Sequence, residues 1–242
     1  MSTTGHTRRA NAGALVLAAA LSLGTASVVP AHSAVVAAAP SATTTSVELK
    51  PTTVAYGEAA KAVVTVDTAT NGGPKPTGKV ELEVGDRTVL ADVTNSGRVE
   101  LDVPLVDAST TPYAVTAAFA PADPLAFSAS SAPPASITVT KDATTSTATA
   151  LRKVSKRRIL AKSFVTSANG QVPTGKVTFI LRRNGRKIDA SVVSLNGNTD
   201  PTRNLARTRF DGVPKTGTYK VVAKYRGSTN FLPSKASYSL PR

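Results

Sequence analysis

Cysteine and tryptophan are absent from the 242 residues, and the only two histidines, His6 and His32, stand within the first 34. Without cysteine there is no disulfide, thiolate metal site or thiol nucleophile, and no cysteine to carry an N-terminal lipid. Without histidine beyond residue 34, the rest of the chain is excluded from Ser-His-Asp and Cys-His catalysis and from histidine-ligated zinc. Aromatic residues make up 5% of the chain, so a core must be built from Val, Leu, Ile and Ala with a few Phe and Tyr. Such cores suit thin sandwiches better than deep pockets. Long apolar runs are also missing: residues 12–29 are interrupted by Ser22, Gly24, Thr25 and Ser27 and fall short of the roughly 20 apolar residues that span a bilayer.

Other chemical signatures are equally scarce. No Asp-x-Asp-x-Asp-Gly loop offers calcium a ring of oxygens, and Asn71-Gly72-Gly73 precedes a strand pattern where a phosphate loop would open a helix. Glu81, Glu83, Glu100 and Asp102 are candidates for a glycosidase pair by count alone. Their alternation with apolar residues aims them outward, where no apolar pocket raises a carboxyl pKa. No catalytic, cofactor-binding or metal-binding residue is therefore assigned, and a glycan hydrolase ranks third among the functional readings.

Residues 1–34 read as a secretory signal. Arg8 and Arg9 form a positive n-region, residues 14–23 an apolar segment, and Ala31, Ser33 and Ala34 supply the small residues of a cleavage site. The Arg8-Arg9 pair leaves the twin-arginine route open beside the general one, although Ala10 and Asn11 lack the apolar character expected after such a pair. Residues 35–42 are small and featureless, as in a flexible mature N-terminus. A secreted protein follows, held at the cell surface, if at all, without a covalent link, since neither a hydrophobic tail nor a cysteine stands near Pro241-Arg242.

What the chain does contain is a repeat. Pro76-Thr77-Gly78-Lys79-Val80 returns as Pro173-Thr174-Gly175-Lys176-Val177, and the spaced set Tyr113, Val115, Ala117, Phe119 returns as Tyr219, Val221, Ala223, Tyr225. Self-similarity at a fixed period decides the architecture before any single element does. It divides the chain into units at 41–141 and 142–242. Within each, alternating apolar residues and turn signals predict seven short strands: 43–49, 61–67, 78–84, 87–91, 99–103, 113–119 and 137–140, then 144–151, 159–165, 176–181, 187–193, 206–210, 219–225 and 236–240. Asn184-Gly185 marks a hairpin, since both residues accept positive φ, and residues 196–204 form a polar loop without a counterpart in the first unit. The expected fold class is all-β: two tandem β-sandwiches after an N-terminal signal peptide.

The Thr-rich opening strand, the Pro-Thr-Gly-Lys-Val start and the ending Tyr219-Lys-Val-Val-Ala-Lys-Tyr225-Arg-Gly-Ser-Thr-Asn-Phe231 resemble the bacterial immunoglobulin-like repeat family. In the first unit that ending decays to Phe119-Ala-Pro-Ala-Asp-Pro-Leu125. The resemblance spans nearly all of 43–240. It implies secreted or surface-exposed modules that serve as spacers, stalks or adhesive units, with no shared catalytic site. Tyr113 and Tyr219 occupy the place of a tyrosine-corner residue, and Val115 and Val221 stand where antibody domains carry cysteine. Both tyrosines are expected to be structural, bonding nearby backbone.

Charge separates the two units. Residues 41–141 carry seven basic against eleven acidic side chains, a net −4, whereas residues 142–242 carry twenty against four, a net +16. If the apolar residues of 176–181 and 219–225 face a core, Lys176, Arg182, Lys220, Lys224 and Arg226 face out. In an immunoglobulin-like sandwich those two strands share a sheet. Arg183, Arg186 and Lys187 add a basic hairpin tip, and Lys153, Lys156, Arg157 and Arg158 a second run in a turn. These eight residues of the sheet and tip are the candidate polyanion site. The expected partner is an anionic envelope or matrix polymer, held by summed charge. No base-stacking aromatics accompany the charge, which argues against dedicated nucleic-acid recognition. The alternatives are a surface that only solubilises and an adhesin that takes a protein partner through loops and edge strands. No cofactor and no membrane contact after signal cleavage are expected.

Overall fold

The structure is a computed structural model that describes residues 38–70, 72–196 and 203–241. The expected signal at 1–34 lies outside the described residues, as do residues 35–37 and positions 197–202 of the polar loop. Among the described residues the fold is all-β, without a helix. The first half holds β1 (Thr43–Lys50), β2 (Thr53–Ala55), β3 (Lys61–Thr68), β4 (Gly78–Val84), β5 (Arg87–Val93), β6 (Arg98–Asp102), β7 (Tyr113–Pro121), β8 (Ser130–Ser131) and β9 (Ala135–Thr140). The second holds β10 (Thr144–Lys153), β11 (Arg158–Ser167), β12 (Lys176–Arg183), β13 (Arg186–Ser194), β14 (Arg203–Phe210), β15 (Tyr219–Tyr225) and β16 (Ser234–Ser239). Each strand expected from the sequence is present, with ends displaced by no more than three residues and those of β4 and β15 not at all; β2 and β8 are additional. The polar loop ends sooner than expected, because β14 begins at Arg203 and buries Asn204, whose amide donates to the Pro173 carbonyl at 3.1 Å.

Four sheets result, ordered β1-β3-β6, β2-β9-β7-β4-β5 with β8 on β7, β10-β11-β14 and β13-β12-β15-β16. Every pairing is antiparallel except the short parallel one of β2 with β9. Alternation explains the layering: Val80, Leu82 and Val84 are fully buried while Lys79, Glu81 and Glu83 between them are exposed. One core draws Val64 and Val66 from one sheet together with Leu82, Val115, Phe119 and Ile137 from the other. A second core joins Ile159, Val165 and Phe210 to Phe179, Leu181, Val221 and Tyr225 in the same way. Each half is thus two sheets packed face to face over aliphatic side chains and a few rings, a sandwich-like arrangement.

The repeated Pro-Thr-Gly-Lys-Val has a steric cause. A Cβ on Gly78 would stand 2.2 Å from the Ala120 carbonyl oxygen, and one on Gly175, at φ +113°, would stand 2.9 Å from that of Gly227. Glycine lets β4 and β12 start directly beneath the turn that leaves the neighbouring strand. The threonine before it offers its carbonyl, to Ala122 N–H at 2.9 Å in the first half and to the Tyr225 hydroxyl at 2.5 Å in the second. Burial pushes the Tyr225 pKa up, partly offset by a hydrogen bond with Ser228, so the hydroxyl stays a neutral donor.

Residues from Ala39 onward form one compact unit, and the passage from β9 to β10 is tied down through Asp142. Asp142, 1% exposed, accepts from Ser167 Oγ at 2.6 Å and from the Asn169 backbone N–H and side-chain amide at 3.2 Å each. Its backbone N–H donates to Asn230 O at 2.9 Å and its carbonyl accepts from Leu232 N at 2.8 Å. Asn230 then reaches the first half, donating to Asp107 Oδ1 at 2.7 Å and accepting from Ala108 N–H at 2.8 Å. Tyr56 packs against both cores, edge-on to Phe231 with ring centroids 5.5 Å apart.

Candidate anion-binding face

The pairing of β12 with β15 sets Arg182 opposite Lys220 and Thr178 opposite Lys224, and the next step of that register brings Lys176 beside Arg226, joined by Arg226 N–H to Lys176 O at 3.1 Å. Lys176, Arg182, Lys220, Lys224 and Arg226 are all exposed, on one side of one sheet. The hairpin turn, with Asn184 at φ 48° and Gly185 at φ 81°, sends β13 back so that Lys187 lies opposite Arg182. On the other flank β16 places Lys235 opposite Lys224.

Four cross-strand rows describe this face. The first is Lys187, Arg182, Lys220 and Ser239, and the second Ala190, Ile180, Val222 and Ser237. The third is Val192, Thr178, Lys224 and Lys235, and the fourth is Ser194, Lys176 and Arg226. No carboxylate stands in any row. None of these cations is in an ion pair with a described residue; Arg182 Nη1 donates to Gly185 O at 2.9 Å and Arg226 Nε to Thr178 Oγ1 at 2.9 Å, which aims the two guanidinium groups without neutralising them. Neighbouring cations about 6 Å apart repel by roughly 0.7 kcal/mol even in water, so the cluster opposes folding slightly. At the first row the sheet end is concave: a cleft of about 700 Å³ is lined by Arg182, Gly185, Thr218, Lys220, Ser239 and Pro241, among others.

The corresponding face in the first half is of another character. There Glu83 opposes Thr116, Glu81 opposes Ala118, and Lys79 is paired with Asp92 at 2.7 Å. The other acids considered from the sequence, Glu100 and Asp102, are exposed and share Lys61, at 3.6 and 2.6 Å.

Two of the eight candidates are not on the face. Arg183 opposes both Arg186 and Tyr219, so it falls on the core-facing side, where Nε donates to Thr216 O at 2.9 Å. Its cross-strand neighbour Arg186 shares that side. A hairpin tip has two sides, and the sequence does not tell which one a given residue takes when a bulge intervenes between Leu181 and Arg182. Conversely Lys235 belongs to the face and was missed, because the strand expected at 236–240 begins two residues earlier, at Ser234. The alternation of Lys235, Ser237 and Ser239 with Ala236 and Tyr238 was the available signal. The second basic run lies elsewhere, around the β10–β11 turn, where Arg158 is 3.6 Å from Asp211.

The tyrosines expected at corners bond backbone: Tyr113 Oη donates to Asp107 O at 3.0 Å, and Tyr219 Oη to Pro214 O at 2.6 Å and Thr216 O at 3.3 Å. Arg152 stacks over the Tyr219 ring, 4.8 Å from its centroid. Tyr219 is only 3% exposed, so Tyr219→Phe is expected to lower stability by about 1 kcal/mol, the usual net worth of one hydrogen bond, and to leave polyanion binding unchanged. Thermal unfolding and a binding titration on the same sample check both halves of that statement; weaker binding with unchanged stability would make the hydroxyl a ligand contact.

No protein-family model matches the chain, and no curated protein is similar to it in sequence.

Proposed function

We propose that the protein is a secreted, non-enzymatic module of two tandem immunoglobulin-like β-sandwiches, of the bacterial immunoglobulin-like repeat type, preceded by a signal peptide at 1–34. Residues 142–242 hold an anionic envelope or matrix polymer and residues 41–141 act as a spacer. The observation that carries this reading is the outer face of β13-β12-β15-β16: seven cations, Lys176, Arg182, Lys187, Lys220, Lys224, Arg226 and Lys235, share it without one carboxylate, while the matching face of the first half mixes Glu81 and Glu83 with a neutralised Lys79. Clustered cations without internal counterions attract polyanions and raise their local concentration. A general solubilising charge would be interspersed with acids.

Cosedimentation of the mature protein with cell envelopes over a salt series tests the proposal. Pelleting at low salt with progressive release as salt screens the face is the expected result. Pelleting that survives high salt would point to a protein partner, and absence of pelleting at low salt would reduce the face to a solubility device; either overturns the proposal.

A further inference from the structure

The cations of this face are not spread evenly. Lys187, Arg182 and Lys220 occupy the first row; Lys224 and Lys235 with Lys176 and Arg226 occupy the third and fourth; the second row, between them, is Ala190, Ile180, Val222 and Ser237. Lys224 lies four positions beyond Lys220, a step of about 13 Å along the strand. The row between is aliphatic at its centre, with Val222 6% exposed and Ile180 half-buried. At one end of it stand the exposed hydroxyls of Ser237, in the row itself, and of Ser239 in the first row.

A polymer with an anion every few ångströms, such as a polynucleotide strand at about 3.4 Å per phosphate, would lay charged groups on the Ile180 row. There they would lose water and gain no partner, which is unfavourable for any ionised group. A chain whose anions stand a sugar or two apart meets no such penalty. The carbon–hydrogen face of an uncharged sugar covers the Ile180 and Val222 row, its hydroxyls reach the flanking serines, and successive anions fall on the two cationic groups. One anion would sit in the open cleft beside Arg182 and Lys220, next to Gly185 of the hairpin turn and Pro241.

We infer that the ligand is a glycan whose anionic groups alternate with uncharged sugar units, read by two cation clusters across the neutral Ile180 row. This rests on the polyanion reading above and narrows it.

The test compares hyaluronan fragments, with one carboxylate per disaccharide, against linear polyphosphate at equal concentration of anionic groups, using the whole mature protein. Wild type is expected to bind the glycan at least severalfold more tightly. Ile180→Lys adds a cation to the middle row and is expected to weaken glycan binding severalfold while strengthening polyphosphate binding. Ala190→Lys, at an exposed position of the same row, repeats the test where no buried contact is disturbed. Tighter binding of both polymers by these variants, or a wild type that binds polyphosphate as well as the glycan, would overturn the inference and leave the broader polyanion reading standing. Failure of both polymers to bind at low salt would remove that broader reading as well.

Discussion

Replacing Lys176, Arg182, Lys220, Lys224 and Arg226 together by glutamine is expected to weaken binding to an anionic polymer by roughly sixtyfold. Exposed ion pairs contribute about 0.5 kcal/mol each. Five of them sum to about 2.5 kcal/mol, which converts to that factor at 1.4 kcal/mol per decade. The same variant should fold at least as stably as the wild type, because these side chains have no described carboxylate partner to lose and their mutual repulsion is relieved. The control removes five charges elsewhere in the same half: Lys153, Lys156, Lys162, Arg207 and Lys215, all exposed and none on the β13-β12-β15-β16 sheet. Both variants carry the same net charge. If long-range attraction alone drives association, the two lose affinity equally; if the face is the site, the control loses no more than about threefold. Equal losses measured in one polymer titration would dissolve the site into net charge.

The alternation of single residues made this face legible in advance. Val177, Phe179 and Leu181 are buried and so are Tyr219, Val221, Ala223 and Tyr225, which fixes the direction of every side chain between them once the strands are recognised. What alternation cannot give is register at irregular places. Lys187 faces out opposite Arg182, and simple alternation would put Asp189 on the same side, but the bulge near Leu181 pairs Asp189 with Leu181 and brings Ala190 opposite Ile180 instead. β2 was unreadable for a different reason. Three residues after Pro51 give too short a pattern, and their partner β9 lies more than eighty residues away. The neutral middle row was also invisible as a feature, since Ile180 and Val222 read simply as further apolar strand residues until the cross-strand rows are laid out.

Least legible of all was the junction between the halves. Asp107, Asp142, Asn169 and Asn230 are turn-type residues, and a turn was sufficient reason for each. In the first half the place of Asp142 is taken by Ser41, which makes the same pair of backbone bonds, with Ala126 and Ser128. The place of Asn230 is taken by Ala126. The repeat therefore shares its backbone path at this point and differs in the side chains that dock the second half onto the first. In the proposed division of labour a spacer serves a binding face only if the angle between them is kept, and these side chains would keep it.

Asp142→Ala is accordingly expected to be among the most damaging single changes in the chain. The carboxylate is 1% exposed and accepts three hydrogen bonds, from Ser167 Oγ, the Asn169 backbone and the Asn169 amide. Truncation leaves those donors without an acceptor in a largely buried site, at about 3 kcal/mol in all for a charged acceptor with several partners. The Asn169 amide also donates to Tyr56 O at 3.3 Å, so its release loosens the contact of Tyr56 with Phe231 and with it the hold between the halves. For a unit of this size each kcal/mol moves the midpoint by about 2–4 °C, which places the expected loss near 10 °C. A second consequence separates this mechanism from simple core damage: the variant should unfold in two steps where the wild type unfolds in one, because each half keeps its own apolar core and only their coupling is lost. Calorimetry reads both quantities, and a variant that unfolds in a single step within 2 °C of the wild type would show that Asp142 does not hold the junction.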